Sequence, residues 1–289
     1  MSAETRVVSS RSALRSAYAG LAPGTKRAVV LTMGALHSGH VQLVREARAR
    51  AGMHGHVTVT VFVNPTQFSS GDDLERYPRS LAADVEKCAE AGADLVFAPT
   101  TDTVYRDGDL RVTVDPGVLG TLLEGAVRPG HFRGVLTVVA KLLLLTRADL
   151  VLLGEKDYQQ LVLVRRMVRD LDLPVEVVGV PTVRDPDGLA LSSRNVHLTV
   201  EQYDAALAIP KALELGRAAA REGGTARDVV SAVQSFLDQQ PDLITDYAVV
   251  TAPDLSGPPE EGAARLVLAV RAGEVRLLDN CAITLGVRP

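Results

Sequence analysis

The sequence predicts an α/β protein built on a doubly wound parallel sheet, followed by a smaller C-terminal α+β domain. Three observations carry that expectation. Over residues 1–182, short β-branched apolar runs alternate with helical patterns. The runs are continuously apolar, as strands buried on both faces are. Beyond Pro181 the alternation stops and a polar stretch follows. Parallel strands covered by helices make the first part Rossmann-like. The expected division is a domain of residues 1–182 and one of residues 183–289, and a chain of 289 residues accommodates one large and one smaller core.

In chain order the strand candidates are 28–32, 57–63, 94–98, 149–153 and 175–180, each bounded by Gly, Pro, Asn or Asp. Helical patterns fall at 40–51, 80–91, 135–146 and 158–171. The segment from Gly20 to Lys26 has the look of a phosphate loop but lacks the required spacing, and it reads as a turn before the first strand. His54 and His56 have no third ligand nearby in sequence and read as a solvent-facing loop. The polar stretch 182–195 contains Asp185-Pro186-Asp187-Gly188, a turn set by proline rigidity and a permissive glycine, and reads as a hinge. Helices at 200–221 and 225–239, a solvated loop at 252–262 and short strands at 247–250, 266–270 and 275–278 complete the smaller domain.

Composition narrows the function classes. Hydrophobic residues make up 46% and charged residues 23%, which excludes a disordered chain. Aromatics at 4%, without tryptophan, supply no stacking platform for single-stranded nucleic acid. Thirty-one basic against 35 acidic side chains, a net charge of -4, argue against phosphate-driven nucleic-acid binding, so no nucleic-acid partner is expected. The most apolar run, 135–145, is interrupted by Lys141 and is shorter than the ~20 residues of a bilayer span, so no membrane partner is expected either. Cys88 and Cys281 are too few for a disulfide framework, and the first residues carry charges and serines without an apolar signal core. A cytoplasmic, reducing compartment is the expectation.

Four segments carry candidate chemistry. Thr32 to His40 runs from a strand end into a helix, where glycines allow close backbone approach and the helix start favours anions. His37 and His40 there can donate to phosphate oxygens; a zinc pair or helix-capping histidines are the alternatives. Phe62 to Phe68 is a strand running into a rigid turn with two amides, Asn64 and Gln67, suited to reading hydroxyl and carboxylate groups. Gly154 to Gln160 again joins a strand end to a helix, with Lys156 as a compact charge for phosphates and Asp157 as a cap or orienting carboxylate. Asp187 to Asn195 places Ser192, Ser193 and Arg194 on a loop able to close over a polyphosphate.

The strings TMGALHSGH, FVNPTQF, EGAVRPGHFRGVLTVVAKLLLL, GEKDYQQL and DGLALSSRN occur in this order between Thr32 and Asn195, and the resemblance they carry covers essentially the whole chain. By their order and spacing the sequence resembles the pantothenate synthetase (pantoate–β-alanine ligase) family, and its first and last motifs are similar to the HIGH and KMSKS elements of the wider nucleotidyltransferase superfamily. The resemblance implies two steps. Pantoate attacks ATP to give pantoyl adenylate and pyrophosphate, and β-alanine then displaces AMP to form pantothenate, the vitamin B5 precursor of coenzyme A. It implies an ATP site at Met33, Gly34, Ala35, Leu36, His37, Ser38, Gly39, His40, Gly154, Glu155, Lys156, Asp157, Val183, Leu191, Ser192, Ser193 and Arg194. Of these, His37, His40, Lys156, Ser192, Ser193 and Arg194 fall at catalytic positions, with His40 in the place of the general acid. Gln67 and Gln160 fall at pantoate-binding positions, and Gln67 also at a β-alanine position. ATP as substrate, magnesium on its phosphates without an assigned protein ligand, and a homodimer are further implications.

Two positions depart from the family pattern. Ser38 replaces an acidic residue between the histidines, and Leu191 stands where Met is usual; neither change removes a catalytic group. Two rival functions are a nucleotide sensor without turnover and a tRNA-charging enzyme. The first is disfavoured by Gln67 and Gln160, which a sensor does not need, and the second by the lack of an evident extra domain or basic arm.

Overall fold

Why the apolar runs become strands is clear from their burial: in the computed structural model, which describes residues 5–68, 80–106, 108 and 110–286, they form the centre of a six-stranded sheet. The strands are β1 (Arg6–Val8), β2 (Arg27–Thr32), β3 (His56–Val61), β4 (Leu95–Phe97), β5 (Leu150–Gly154) and β6 (Glu176–Val180). They lie in the order β1-β4-β3-β2-β5-β6, and every pairing is parallel. The chain moves outward from β2 through β3 to β4, then returns to the other side of β2 for β5 and β6. That reversal puts a topological switch between β2 and β5, where open α/β sheets bind ligands beyond the strands' carboxyl ends.

Helices α1 (Arg11–Ala19), α2 (Ser38–Ala51), α3 (Leu81–Glu90), α4 (Thr101–Val104), α5 (Glu124–Val127), α6 (His131–Thr146) and α7 (Tyr158–Asp170) connect these strands. One face of the sheet buries Ala28, Val30, Val57, Val59, Leu150 and Leu152 against Leu43, Val44 and Ala47 of α2 and Cys88 of α3. The alternate residues Val29 and Val151 are equally buried, which is why the runs are apolar throughout.

The smaller sheet is antiparallel, in the order β7 (Leu243–Thr251), β8 (Gly262–Ala272), β9 (Val275–Leu285). It shares a core with α8 (Val200–Ala206), α9 (Ala208–Arg221) and α10 (Ala226–Leu237). The single helix expected over 200–221 is two, because Pro210 has no N–H to donate and its ring crowds the carbonyl of Ala206. The chain divides into two compact units, Met1–Glu155 with Leu163–Pro181 and Lys156–Val162 with Thr182–Pro289. Residues 156–162, placed by the sequence in the 1–182 domain, therefore group with the C-terminal unit.

Two expectations require correction. The Gly20–Lys26 turn does not precede the first strand: β1 and α1 come before it, and β1 was missed because it is three residues long with two exposed. His56 is not in a solvent-facing loop but begins β3, buried, with the Tyr18 ring edge-on at 5.5 Å and Thr58 Oγ1 at 3.3 Å. Within the 182–195 stretch, read as a hinge, the chain forms a locally closed turn. Arg184 bridges to Ala190, and Asp185 Oδ1 accepts the backbone N–H groups of Asp187 and Leu189.

Candidate active site

At the carboxyl end of β2 the main chain leaves regular geometry: Gly34 has φ +90° and Ala35 φ +51°. A side chain at Gly34 would also press on Asp84 Oδ2 at 3.1 Å. Asp84, on α3, is the reason this irregular loop holds. Only 1% exposed, it accepts the N–H groups of Ala35 at 3.0 Å and Leu36 at 2.8 Å, which have no partner in a ladder or helix. Lys87, one turn further along α3, donates to the Leu36 carbonyl at 2.5 Å.

The loop delivers His37 to the N-cap of α2. Its Nδ1 accepts the Gly39 N–H at 3.1 Å, and the His37 N–H donates to His40 Nδ1 at 3.3 Å, an imidazole version of a capping box. The rings sit 4.1 Å apart, tilted by 48°. Because each Nδ1 accepts from the backbone, each neutral ring carries its proton on Nε2 and is a donor there. Ser38 and Gly39 form the first turn of the helix, whose positive dipole end adds to the preference for anions.

The second motif folds onto this loop. Asn64 caps the 3₁₀ turn Pro65–Gln67, and its buried amide is saturated by the protein. Oδ1 accepts from Thr66 Oγ1 at 3.0 Å and Tyr105 Oη at 2.6 Å, and Nδ2 donates to Gln67 Oε1 at 3.1 Å and the Gly134 carbonyl at 3.3 Å. Asn64 is therefore a support for Gln67 rather than a second ligand reader. With Oε1 fixed by Asn64, the Gln67 Nε2 turns toward Met33 Sδ, 3.1 Å away. Sequence reasoning assigned no role to Arg128 and His131, yet His131 Nδ1 lies 2.9 Å and Arg128 Nη2 3.4 Å from the Gln67 carbonyl. The turn fits against α6 only because position 134 is glycine; a Cβ there would lie 2.2 Å from the Thr66 carbonyl.

Gly154 ends β5, and Glu155–Asp157 forms a 3₁₀ turn leading into α7. Within the C-terminal unit, Lys156 Nζ lies 3.4 Å from Asp157 Oδ1, and Gln160 is half-buried in the first turn of α7. The same unit holds the last motif. Leu191 N–H donates to the Val183 carbonyl at 3.0 Å, and Ser192 caps the 3₁₀ turn Ser193–His197 by accepting the Arg194 N–H at 3.2 Å. The structure thus joins Met33 to Gln67, His37 to His40, and Val183 to Leu191. Cys88 takes no part: burial, with Asp84 beside it, pushes its thiol up to about 12. Among the described residues no group of three or more His, Cys, Asp or Glu is gathered for a metal ion, and no helix is long and apolar enough to cross a membrane.

A paired-imidazole helix start and an oriented amide beyond the strand ends of a parallel sheet are features of an α/β enzyme. The chain belongs to the pantoate-beta-alanine ligase family, whose model matches residues 6–282. It is 53% identical to a pantothenate synthetase of Salinispora arenicola over 97% of this chain and 98% of that protein. The crystal structure of a Thermus thermophilus pantothenate synthetase matches with a TM-score of 0.88 and 47% identity, covering 99% and 100% of the two chains. A Francisella tularensis pantoate-beta-alanine ligase, complexed with beta-gamma ATP and beta-alanine, matches with a TM-score of 0.78 and 33% identity over 96% and 97%.

Proposed function

We propose that the His37–His40 corner and the Gln67 turn bring ATP and pantoate together in the reaction of this family, the ATP-dependent ligation of pantoate and β-alanine. In the first step a pantoate carboxylate oxygen bonds to the α-phosphorus of ATP as the bond to pyrophosphate breaks. In the second, the β-alanine amine bonds to the acyl carbon, loses a proton, and AMP leaves. The observation that carries the assignment is the Gln67 Nε2 to Met33 Sδ contact, which sets the amide against the loop that ends in the two imidazoles.

Each residue then has a part that its chemistry suits. The Nε2 donors of His37 and His40 hydrogen-bond phosphate oxygens as pyrophosphate departs, His40 acting as the acid, while Met33–Leu36, Ser38 and Gly39 line the nucleotide. Gln67 holds pantoate and, in the second step, β-alanine; Gln160 is the other pantoate amide. Lys156 supplies phosphate charge, with Gly154, Glu155, Asp157, Val183 and Leu191 at the nucleotide and Ser192, Ser193 and Arg194 as donors from a C-terminal lid. Magnesium is carried on the ATP phosphates, since Mg²⁺ takes phosphate oxygens and water readily. The enzyme is cytoplasmic and works as a homodimer, as the family resemblance implies.

Pyrophosphate exchange into ATP, without β-alanine, tests the reading. It should require pantoate, and His40→Ala should slow it by roughly 10²–10³, the range for loss of one preorganised donor. Gln67→Ala should weaken pantoate by ~1–3 kcal/mol with ATP affinity little changed. Exchange independent of pantoate, or loss of ATP binding alone in Gln67→Ala, would overturn it.

A further inference from the structure

Two of the motifs, far apart in the chain, are tied to consecutive residues of β9. Asn280 is 3% exposed; its Nδ2 donates to the Lys156 carbonyl at 3.0 Å, and its Oδ1 accepts Arg265 Nε at 2.7 Å. The Arg265 guanidinium lies over the Tyr158 ring at 4.0 Å, and Tyr158 Oη donates to the Pro253 carbonyl at 2.8 Å. Lys156 is thus gripped at its own carbonyl and two residues further on. Asp279, 2% exposed, takes both ends of the Arg184 guanidinium, Nη1 at 2.6 Å and Nη2 at 2.9 Å. Arg184 Nη1 also reaches the Gly188 carbonyl at 3.0 Å, closing the turn whose far end is Leu191 and Ser192. The paired carboxylate raises the Arg184 guanidinium above its ordinary range.

The geometry is that of a common mount. Successive strand residues point to opposite faces, while their Cα atoms stay about 3.8 Å apart. One short piece of β9, paired with β8 along its length, therefore holds one loop on each side. We infer that Asp279 and Asn280 are positioning residues for the ligation, fixing the Lys156 segment and the Ser192–Arg194 segment relative to each other. The inference rests on the reading that those two segments meet the nucleotide. Neither Asp279 nor Asn280 needs to touch substrate; each acts through the segment it holds.

Asn280→Asp keeps an acceptor for Arg265 and replaces the donor to Lys156 with a carboxylate oxygen that opposes its carbonyl. In the full-length enzyme, assayed below its thermal midpoint, pantoate-dependent pyrophosphate exchange should fall about tenfold, in line with loss of one interior hydrogen bond, while pantoate affinity stays near wild type. Added to Lys156→Ala, it should cause no further loss, because residues that act through one another are non-additive. Asp279→Asn combined with Arg194→Ala makes the corresponding cycle through the other arm. Multiplying losses in either cycle overturn the positioning role of that β9 residue. Normal exchange in Lys156→Ala or Arg194→Ala alone instead overturns the nucleotide reading on which the inference stands.

Discussion

The loop from Thr32 to His40 and the turn from Val183 to Asn195, both proposed to meet the nucleotide, are held in opposite ways. The first takes two positive-φ residues and owes its shape to a carboxylate from another helix, Asp84, which satisfies Ala35 and Leu36. The second closes on itself through Asp185, Ser192 and the Arg184–Ala190 bridge, and is anchored at its base by Asp279. A loop shaped from outside fails as a unit when its distant partner is removed. A self-closed turn keeps its shape when a side chain at its tip is lost.

That contrast can be broken by experiment, and the largest effect should come from Asp84→Ala. Two N–H groups at the site would lose their partner at roughly 1–3 kcal/mol each, so urea titration should show a loss of stability of several kcal/mol and exchange should fall with it. Unchanged stability would show that the loop holds itself. Next in size, Arg194→Ala should leave the urea midpoint in place and slow pantoate-dependent exchange by about 10–100-fold, as expected for one charge-assisted hydrogen bond. A destabilised Arg194→Ala protein would put the turn in the same class as the first loop.

The smallest effect sharpens the comparison by moving away from both loops. His56 starts β3, at the amino end of the strands; burial, then Arg48 and Arg27, lower its pKa below 6.5, and Asp94 opposes them. Tyr18 and Thr58 are its remaining polar neighbours. The unfolded chain therefore binds a proton on His56 at a higher pH than the folded chain does. Stability from this group is complete above pH 6.5 and declines as pH falls below that value. His56→Gln should flatten the pH dependence of the thermal midpoint between pH 6.5 and 5. An identical slope in wild type and variant would remove His56 as a cause.

Much of the fold was legible because burial on both faces leaves a plain mark. Strands β2, β3, β5 and β6 fall on the apolar runs within a residue or two, and the site loops follow the strand ends where the parallel topology puts them. The glutamine at the turn was legible as well, as one of two amides after a strand. Its partner Asn64 was misread, since an Asn-Pro turn looks the same whether the amide faces a ligand or the protein. Asp84 left a faint signal: it shares a buried helix face with Cys88, and a carboxylate on such a face requires donors. Asp279 and Asn280 left a comparable one, two polar residues between the apolar Leu277-Leu278 and Cys281-Ala282 of β9.

The sequence by itself determined the period and burial of its elements and which residue types stand at each strand end, because these depend on neighbours a few residues apart. Tertiary structure alone decided which donors meet which acceptors. It set Asp84 under the Ala35–Leu36 turn, put Arg128 and His131 on the Gln67 carbonyl, and grouped Lys156 with β9 rather than with the strand that precedes it. Those pairings span tens of residues or more, and a buried polar group takes the partner that packing brings within about 3 Å, which no local pattern encodes.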